Sequence, residues 1–181
     1  MRRTVLLAVL LLTGCAATPE PKPVPLARAA EPQHAELGWK ESYPDTGERL
    51  RFDVDALDVR ESGWSVEIAV SNDTRSSFEL GADPAQLSFG LMLFASGRLD
   101  EVEEASRSGR LPEVRLPDTI RPAPPDVLAP GATWHATLTG RGSLADGSFV
   151  RVSFGPLVAV GDPPEDMLPV VVWITDRSHK L

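Results

Sequence analysis

Hydrophobic and polar residues alternate over several short stretches of the chain, and this alternation predicts β-strands. Over residues 50–54 and 64–71, apolar side chains occupy every second position, so each strand has one apolar face. The turn around Glu61-Ser62-Gly63 between these stretches predicts a hairpin. Four further strands are predicted over residues 87–95, 133–139, 148–160 and 170–175. Asp146-Gly147 is expected to form a second hairpin turn, leading into the strand at 148–160.

Residues 98–130 interrupt this alternation. Leu99, Val102 and Ala105 recur at helical spacing with acidic residues between them, which predicts a short helix over 98–108. The prolines of the segment 111–130 predict an irregular connection that crosses the edge of a sheet. A long connection of this kind is uncommon in a compact domain unless it has a function.

Together these elements predict an all-β fold with one short helix. Alternation implies that each sheet has one face in water, which favours two antiparallel sheets packed as an immunoglobulin-like β-sandwich. A small closed barrel is the alternative. Trp64, Trp134 and Trp173 are predicted to face the core, whereas Trp39 and Tyr43 lie outside the alternating stretches and could bind carbohydrate.

The first residues have the features of a processing signal. Two arginines precede the apolar run 5–12, which is far shorter than the roughly 20 residues of a membrane-spanning helix. The sequence Leu12-Thr13-Gly14-Cys15 then resembles the bacterial lipobox. That resemblance implies cleavage between Gly14 and Cys15 and attachment of a diacylglyceryl lipid to Cys15. The alternative is an ordinary secretory signal with a cysteine at its cleavage site.

These features divide the chain into three parts. We expect a signal peptide at 1–14, a lipidated Pro-rich tether at 15–40 and a β-sandwich domain at 41–181. Prolines at 19, 21, 23 and 25 favour polyproline II, which acts as a semi-rigid spacer. His34 is expected to lie in this tether, exposed to solvent.

The charge balance narrows the possible partners. The chain has 18 basic and 26 acidic residues, a net charge of −8, so nucleic acid is not expected to bind. Removal of the signal peptide would take two arginines and leave a still more acidic protein. Such a protein is repelled by an anionic bilayer, so membrane attachment is expected to come from the lipid.

The search for catalytic and cofactor motifs predicts no catalytic residue, no metal site and no cofactor. Neither Gly-x-Ser-x-Gly nor Ser-x-x-Lys nor a P-loop occurs, and the chain's single cysteine is the one expected to be acylated. His135 is predicted on the solvent side of its strand. Asp53, Asp55 and Asp58 lack the glycine-containing turn of a calcium loop. Asp176 and His179 would provide only part of a transition-metal site.

Two turns carry a second resemblance. Asn72-Asp73-Thr74 ends one strand, and Leu128-Ala129-Pro130-Gly131 precedes another. This pattern is similar to that of bacterial envelope modules with an immunoglobulin-like fold, including proteinase-inhibitor-like lipoprotein domains. The resemblance implies the sandwich fold. The segment 98–130 departs from the pattern, so inhibitor activity is not carried over.

The sequence therefore predicts a lipid-anchored, non-enzymatic interaction module on the extracytoplasmic face of the cell membrane. In a cell with two membranes, the outer membrane is also compatible. The expected partner is another envelope protein or a wall polymer, contacted through residues 98–130. A small-ligand or metal carrier is the alternative function, and a hydrolase is a third possibility.

Overall fold

The computed structural model describes residues 28–80 and 89–181. The signal peptide, the lipobox and the tether prolines at 19, 21, 23 and 25 lie outside these residues. In chain order the described strands are β1 (Gln33–Tyr43), β2 (Arg49–Arg60), β3 (Gly63–Asp73), β4 (Phe78–Leu80), β5 (Gly90–Phe94), β6 (Glu113–Arg115), β7 (Thr119–Arg121), β8 (Val127–Leu128), β9 (Thr133–Arg141), β10 (Phe149–Ala159), β11 (Val170–Ile174) and β12 (His179–Lys180). Helix α1 (Leu99–Arg107) lies between β5 and β6.

The strands form two antiparallel sheets. The first sheet has the order β1-β2-β3-β9-β7. The second is built around β10, which pairs with β5 and then β4 along one side and with β12 and then β11 along the other. The short strands β6 and β8 extend that sheet beyond β5 and β4. Midway along β10, Gly155 has a φ of 119°, which other residues rarely adopt, and here the register with β11 shifts.

Aromatic side chains join the two sheets in the core. Phe52 of β2 lies 5.1 Å from Phe154 of β10, measured between ring centroids. Phe89 and Trp134 meet edge to face at 5.3 Å. The largest fully buried side chains come from both sheets: Trp64, Phe52, Phe78, Phe89, Phe154, Leu50, Leu57, Ile68, Leu80, Leu91, Leu128 and Leu138. The predicted β-sandwich is confirmed, and the more specific immunoglobulin-like assignment stays a prediction.

Most of the predicted elements are confirmed. The first hairpin is formed by β2 and β3, and the predicted strands at 133–139, 148–160 and 170–175 correspond to β9, β10 and β11. The predicted helix corresponds to α1. Of the predicted strand at 87–95, residues 90–94 form β5, while its first two residues lie outside the described part of the chain.

The boundary between tether and domain at residue 41 is wrong. Residues 33–43 form β1, which pairs with β2 along most of its length. Ala30 and Trp39 are both buried in the core. Alternation in this stretch is weak because its less exposed positions include the polar residues Gln33 and Glu41, and a register shift lies next to Gly38, whose φ is 54°. The domain therefore includes residues that the sequence pattern assigned to the tether.

Two predicted connections also differ from the structure. The segment 111–130 is not irregular throughout, because it contains β6, β7 and β8 and passes from the second sheet to the first and back. Asp146-Gly147 does not form a hairpin turn, since β9 and β10 lie in different sheets. The polar connection before β10 instead carries the chain from one sheet to the other.

The side chain of Asn72 connects the sheets at the end of β3. It is fully buried, and its amide nitrogen donates to the carbonyl oxygens of Ser76 at 2.8 Å and Leu128 at 3.0 Å. Its amide oxygen accepts from the backbone N–H and the hydroxyl of Thr74. The Asn72 backbone also bonds to Gly131 and Ala132. The two turns that carry the family resemblance are therefore in direct contact.

We predict that Asn72→Ala lowers the free energy of unfolding by about 2–4 kcal/mol, because it removes the buried hydrogen bonds that the amide makes with Ser76, Leu128 and Thr74. Urea denaturation followed by tryptophan fluorescence measures this change. Asp73→Asn is the matched control, since it alters only a partly exposed ion pair with Arg51 and should change stability by less than about 1 kcal/mol. Equal stability of the two variants would contradict the role of Asn72.

Candidate functional site

The outward side of the second sheet is apolar. Leu91 and Leu93 of β5 point into the core, so Met92 and Phe94 point away from it. Met92 lies opposite Val114 of β6 and opposite Arg151 of β10, which therefore share its side of the sheet. Met92 and Phe94 are half-buried, and Val114 is 51% exposed.

The other strands of this sheet continue the apolar surface. Val171 of β11 is buried, whereas Val170, Val172 and Ile174 alternate with the inward residues and are 50%, 51% and 37% exposed. Val127 is 45% exposed and lies in a cross-strand row with Glu79 of β4 and Val158 of β10, so one carboxylate interrupts the apolar surface there. We call this surface the outer apolar face; it consists of Met92, Phe94, Val114, Val127, Val158, Val170, Val172 and Ile174.

The first sheet has the opposite character on its outward side. Glu67 of β3 lies opposite Thr137 of β9, and the neighbouring outward position of β9 is His135. Each sheet therefore has one face exposed to water as expected, but that face is polar on the first sheet and largely apolar on the second. A large exposed apolar area on a soluble domain is typical of an interaction site.

Helix α1 lies over one part of the outer apolar face and leaves a groove between itself and the sheet. The groove has a volume of about 920 Å³. Leu99 and Val102 of α1 line it from above, and Phe94 and Ile174 line it from the sheet. No residue of α1 is fully buried, and Val102 and Ala105 are half-buried, so the apolar side of this helix is only partly covered by the described part of the chain.

Acidic residues surround the mouth of the groove. Asp100, Glu101, Glu103, Glu104 and Asp176 all line it. Arg98 lies 2.7 Å from Asp100 and 3.4 Å from Glu101, and Arg107 lies 3.1 Å from Glu104. The hydrogen bond from Arg98 holds the pKa of Asp100 below its ordinary value. These carboxylates remain largely exposed and are therefore screened by salt.

At the floor of the groove, the guanidinium group of Arg151 is almost completely buried. Arg151 is only 3% exposed. Its Nη1 donates to the carbonyl of Thr175 at 2.7 Å and its Nη2 to that of Gly97 at 3.3 Å, while Nε has no partner among the described residues. The guanidinium carbon lies 5.6 Å from the centre of the Phe94 ring. Arg151 thus bonds to the segment just before α1 and to the segment just after β11. It forms no ion pair within the described residues.

A second polar cluster lies at the far edge of the first sheet. His34 does not lie in a tether but on β1, where Nδ1 is 2.9 Å from Asp58 and Nε2 is 2.8 Å from Glu36. Its side chain is 53% exposed, so its predicted exposure is correct. Hydrogen bonds to Glu36 and Asp58 raise the pKa of His34 above its ordinary value.

The structure brings together few of the other residues considered in the sequence. Trp39 is buried and Tyr43 packs against Trp173, so the proposed carbohydrate platform is wrong. His135 is exposed as predicted. His179 lies 3.0 Å from Gln33 rather than beside Asp176 in a shared site. Gly14 and Cys15 lie outside the described residues, and so their predicted cleavage and lipidation stay predictions.

The described residues contain no group of three or more His, Cys, Asp or Glu side chains arranged to hold a metal ion. Within the same residues, no helix has the length and apolar character needed to cross a membrane. Comparison with protein-family models, curated proteins and solved structures found no match. The candidate site therefore rests on the geometry of this chain.

The sequence reasoning did not identify the outer apolar face or Arg151. A signal for the face was present, because Val170-Val171-Val172-Trp173-Ile174 is apolar throughout instead of alternating. Such a run is typical of a strand covered on both faces. Arg151 had no comparable signal, since an arginine between two valines in an alternating strand is normally exposed.

We predict that His34 titrates with a pKa above about 6.5, measured by NMR of its ring protons. The protonated ring donates to both carboxylates, so its stabilising contribution is present below that ordinary pKa and disappears as pH rises through the folded-state value. Replacing both partners by Glu36→Gln and Asp58→Asn should lower the pKa. An unchanged pKa in that double variant would contradict the assignment.

Proposed function

We propose that this chain is a non-enzymatic interaction module that is anchored by an N-terminal lipid on the extracytoplasmic face of a membrane and recognises another envelope protein through the outer apolar face. The observation that carries the proposal is the exposure of Val170, Val172 and Ile174 on one side of β11, together with the exposure of Val114, which lies opposite Met92 on the same side of the sheet. Leaving these side chains in water is unfavourable at roughly 25 cal/mol per Å². A partner that covers them recovers that free energy.

The anchoring part of the proposal rests on the sequence. The lipobox-like residues Leu12-Thr13-Gly14-Cys15 follow a short apolar run, and the chain has no other cysteine. Two acyl chains on one cysteine provide stable membrane attachment, which a single chain does not. Lipid anchoring would keep the domain on the membrane where its partner is found.

A protein partner fits the outer apolar face better than a wall polymer or the bilayer does. The face is formed mainly by valine side chains, and the three tryptophans predicted to face the core are not exposed on it. A polysaccharide would find few stacking surfaces or hydrogen-bonding groups there. The acidic residues of α1 and the chain's net charge of −8 oppose approach to anionic lipid.

Residues 98–116, the first part of the segment 98–130, border the same face, whereas β7 of that segment belongs to the first sheet. Leu99, Leu111, Val114 and Leu116 are all more than half exposed, and the helix among them presents an acidic side. An apolar centre with a charged rim is the usual arrangement of a protein interface. We therefore expect a partner surface with an apolar centre bordered by lysine or arginine, which would complement the carboxylates of α1.

A small-ligand carrier is a second candidate, and the groove beneath α1 favours it. The groove volume of about 920 Å³ lies within the range of small-molecule sites, roughly 300–1,000 Å³. The groove shares Met92, Phe94 and Ile174 with the outer apolar face, whereas Val127, Val170 and Val172 lie outside it. Substitutions at those outside positions therefore test the two candidates separately.

We predict that Val172→Asp abolishes capture of the protein partner. The full-length chain is crosslinked in cells and recovered, and the amount of co-purified partner is compared with wild type. A carboxylate at the centre of an apolar interface should reduce capture at least tenfold, because it must be desolvated without a counter-ion. Cys15→Ala should also reduce capture if membrane anchoring brings the two proteins together.

Thr119→Asp is the matched control, since Thr119 is exposed on an edge strand of the first sheet. It should retain both the partner and the wild-type melting temperature. Recovery of the same partner at wild-type levels with Val172→Asp would contradict the proposed contact surface. Loss of the partner in both aspartate variants would show that the effect is not specific to the outer apolar face.

A further inference from the structure

We infer that the groove between α1 and the second sheet binds a single-chain amphiphile whose anionic head group pairs with Arg151. This site shares Met92, Phe94 and Ile174 with the outer apolar face and differs from the protein contact surface proposed above in that it extends beneath the helix to Arg151. The ligand class is defined by an aliphatic body and one carboxylate or similar anion. A fatty acid has this chemistry.

The first argument is the state of the Arg151 guanidinium. It is nearly inaccessible to water, yet both of its recorded hydrogen bonds go to neutral carbonyl groups, and Nε has no partner among the described residues. Burying a cation without a counter-ion is costly, and buried charges in proteins are normally paired. A carboxylate can accept two N–H groups of a guanidinium at once, which makes it a suitable partner.

The second argument is the chemistry of the groove walls. Met92, Phe94 and Ile174 contribute apolar surface from the sheet, and Leu99 and Val102 contribute it from the helix. A hydrocarbon chain placed between these surfaces would complete the covering of the apolar side of α1. Each methylene removed from water adds to the favourable free energy of binding. The groove can therefore bind the body of the ligand while Arg151 determines its head group.

The charges around the groove must be weighed against this assignment. Five carboxylates line the groove, and a cationic head group could remain among them at the mouth. However, those carboxylates are largely exposed, and three of them already pair with Arg98 or Arg107. Arg151 lies in the low-dielectric floor, where an opposite charge interacts more strongly than at the surface. The anion is favoured because it satisfies the buried charge.

The test compares two probes with the same twelve-carbon chain, dodecanoate and dodecylamine, below their micellar concentrations. Binding to the full chain is measured by isothermal titration calorimetry at neutral pH. We expect dodecanoate to bind at least about tenfold more tightly, as a charge-assisted hydrogen bond to a buried guanidinium implies. Equal or tighter binding of dodecylamine, or no binding of dodecanoate, would overturn the inference.

Two variants locate the site. Arg151→Gln should remove the preference for dodecanoate, and its melting temperature reports whether the fold is kept. Leu99→Asp changes a half-exposed side chain of the groove wall and should weaken dodecanoate binding even if Arg151→Gln fails to fold. Val127→Asp is the control, because Val127 lies on the outer apolar face but outside the groove.

The control also separates this inference from the proposed function. Val127→Asp should leave dodecanoate binding unchanged. Dodecanoate affinity unaffected by both Arg151→Gln and Leu99→Asp would overturn the groove assignment, whatever the result of the partner capture. Conversely, failure to capture a protein partner would contradict the proposed function only, because the dodecanoate affinity and the head-group preference of the groove are measured without that partner.

Discussion

The hydrogen bonds of Asn72 determine how the two sheets are connected. Asn72 ends β3 in the first sheet, and its amide reaches Leu128 of β8 in the second. Its backbone carbonyl accepts from Gly131, which has a left-handed φ of 75° and turns the chain into β9 beside β3. The side chain of Asn72 thus connects the two sheets, and its backbone holds the turn that leads into β9. The arrangement depends on an amide, because it needs donors and an acceptor in the same place.

A second set of contacts holds the strand on which the proposed function depends. The carboxylate of Glu41 on β1 accepts from the Trp173 indole at 2.9 Å and from the backbone N–H groups of Asp176 at 2.9 Å and Arg177 at 3.1 Å. These bonds connect the edge of the first sheet to the end of β11. With Trp173 turned inward, Val172 and Ile174 project outward. The contacts of Glu41 therefore fix the position of β11 and, with it, the outward direction of these apolar side chains.

The sequence pattern was sufficient to predict strands that have one polar and one apolar face. The alternation at 64–71 predicted β3, and α1 followed from its helical spacing. The first strand was missed because the less exposed positions of β1 include the polar residues Gln33 and Glu41. Strand pairing across long sequence distances, such as β9 beside β3, is not encoded in local alternation. Arg151 is buried and donates to the carbonyl groups of Gly97 and Thr175, which lie far from it in sequence.

The central claim is that the outer apolar face is covered by another protein in the cell. Its most direct test is the reactivity of a cysteine introduced by Val172→Cys toward a membrane-impermeant maleimide, on intact cells or spheroplasts and on the purified protein. We predict strong labelling of the purified protein and weak labelling in cells, whereas Thr119→Cys on the first sheet is labelled equally in both. Equal labelling of Val172→Cys in cells and in the purified state would contradict the account.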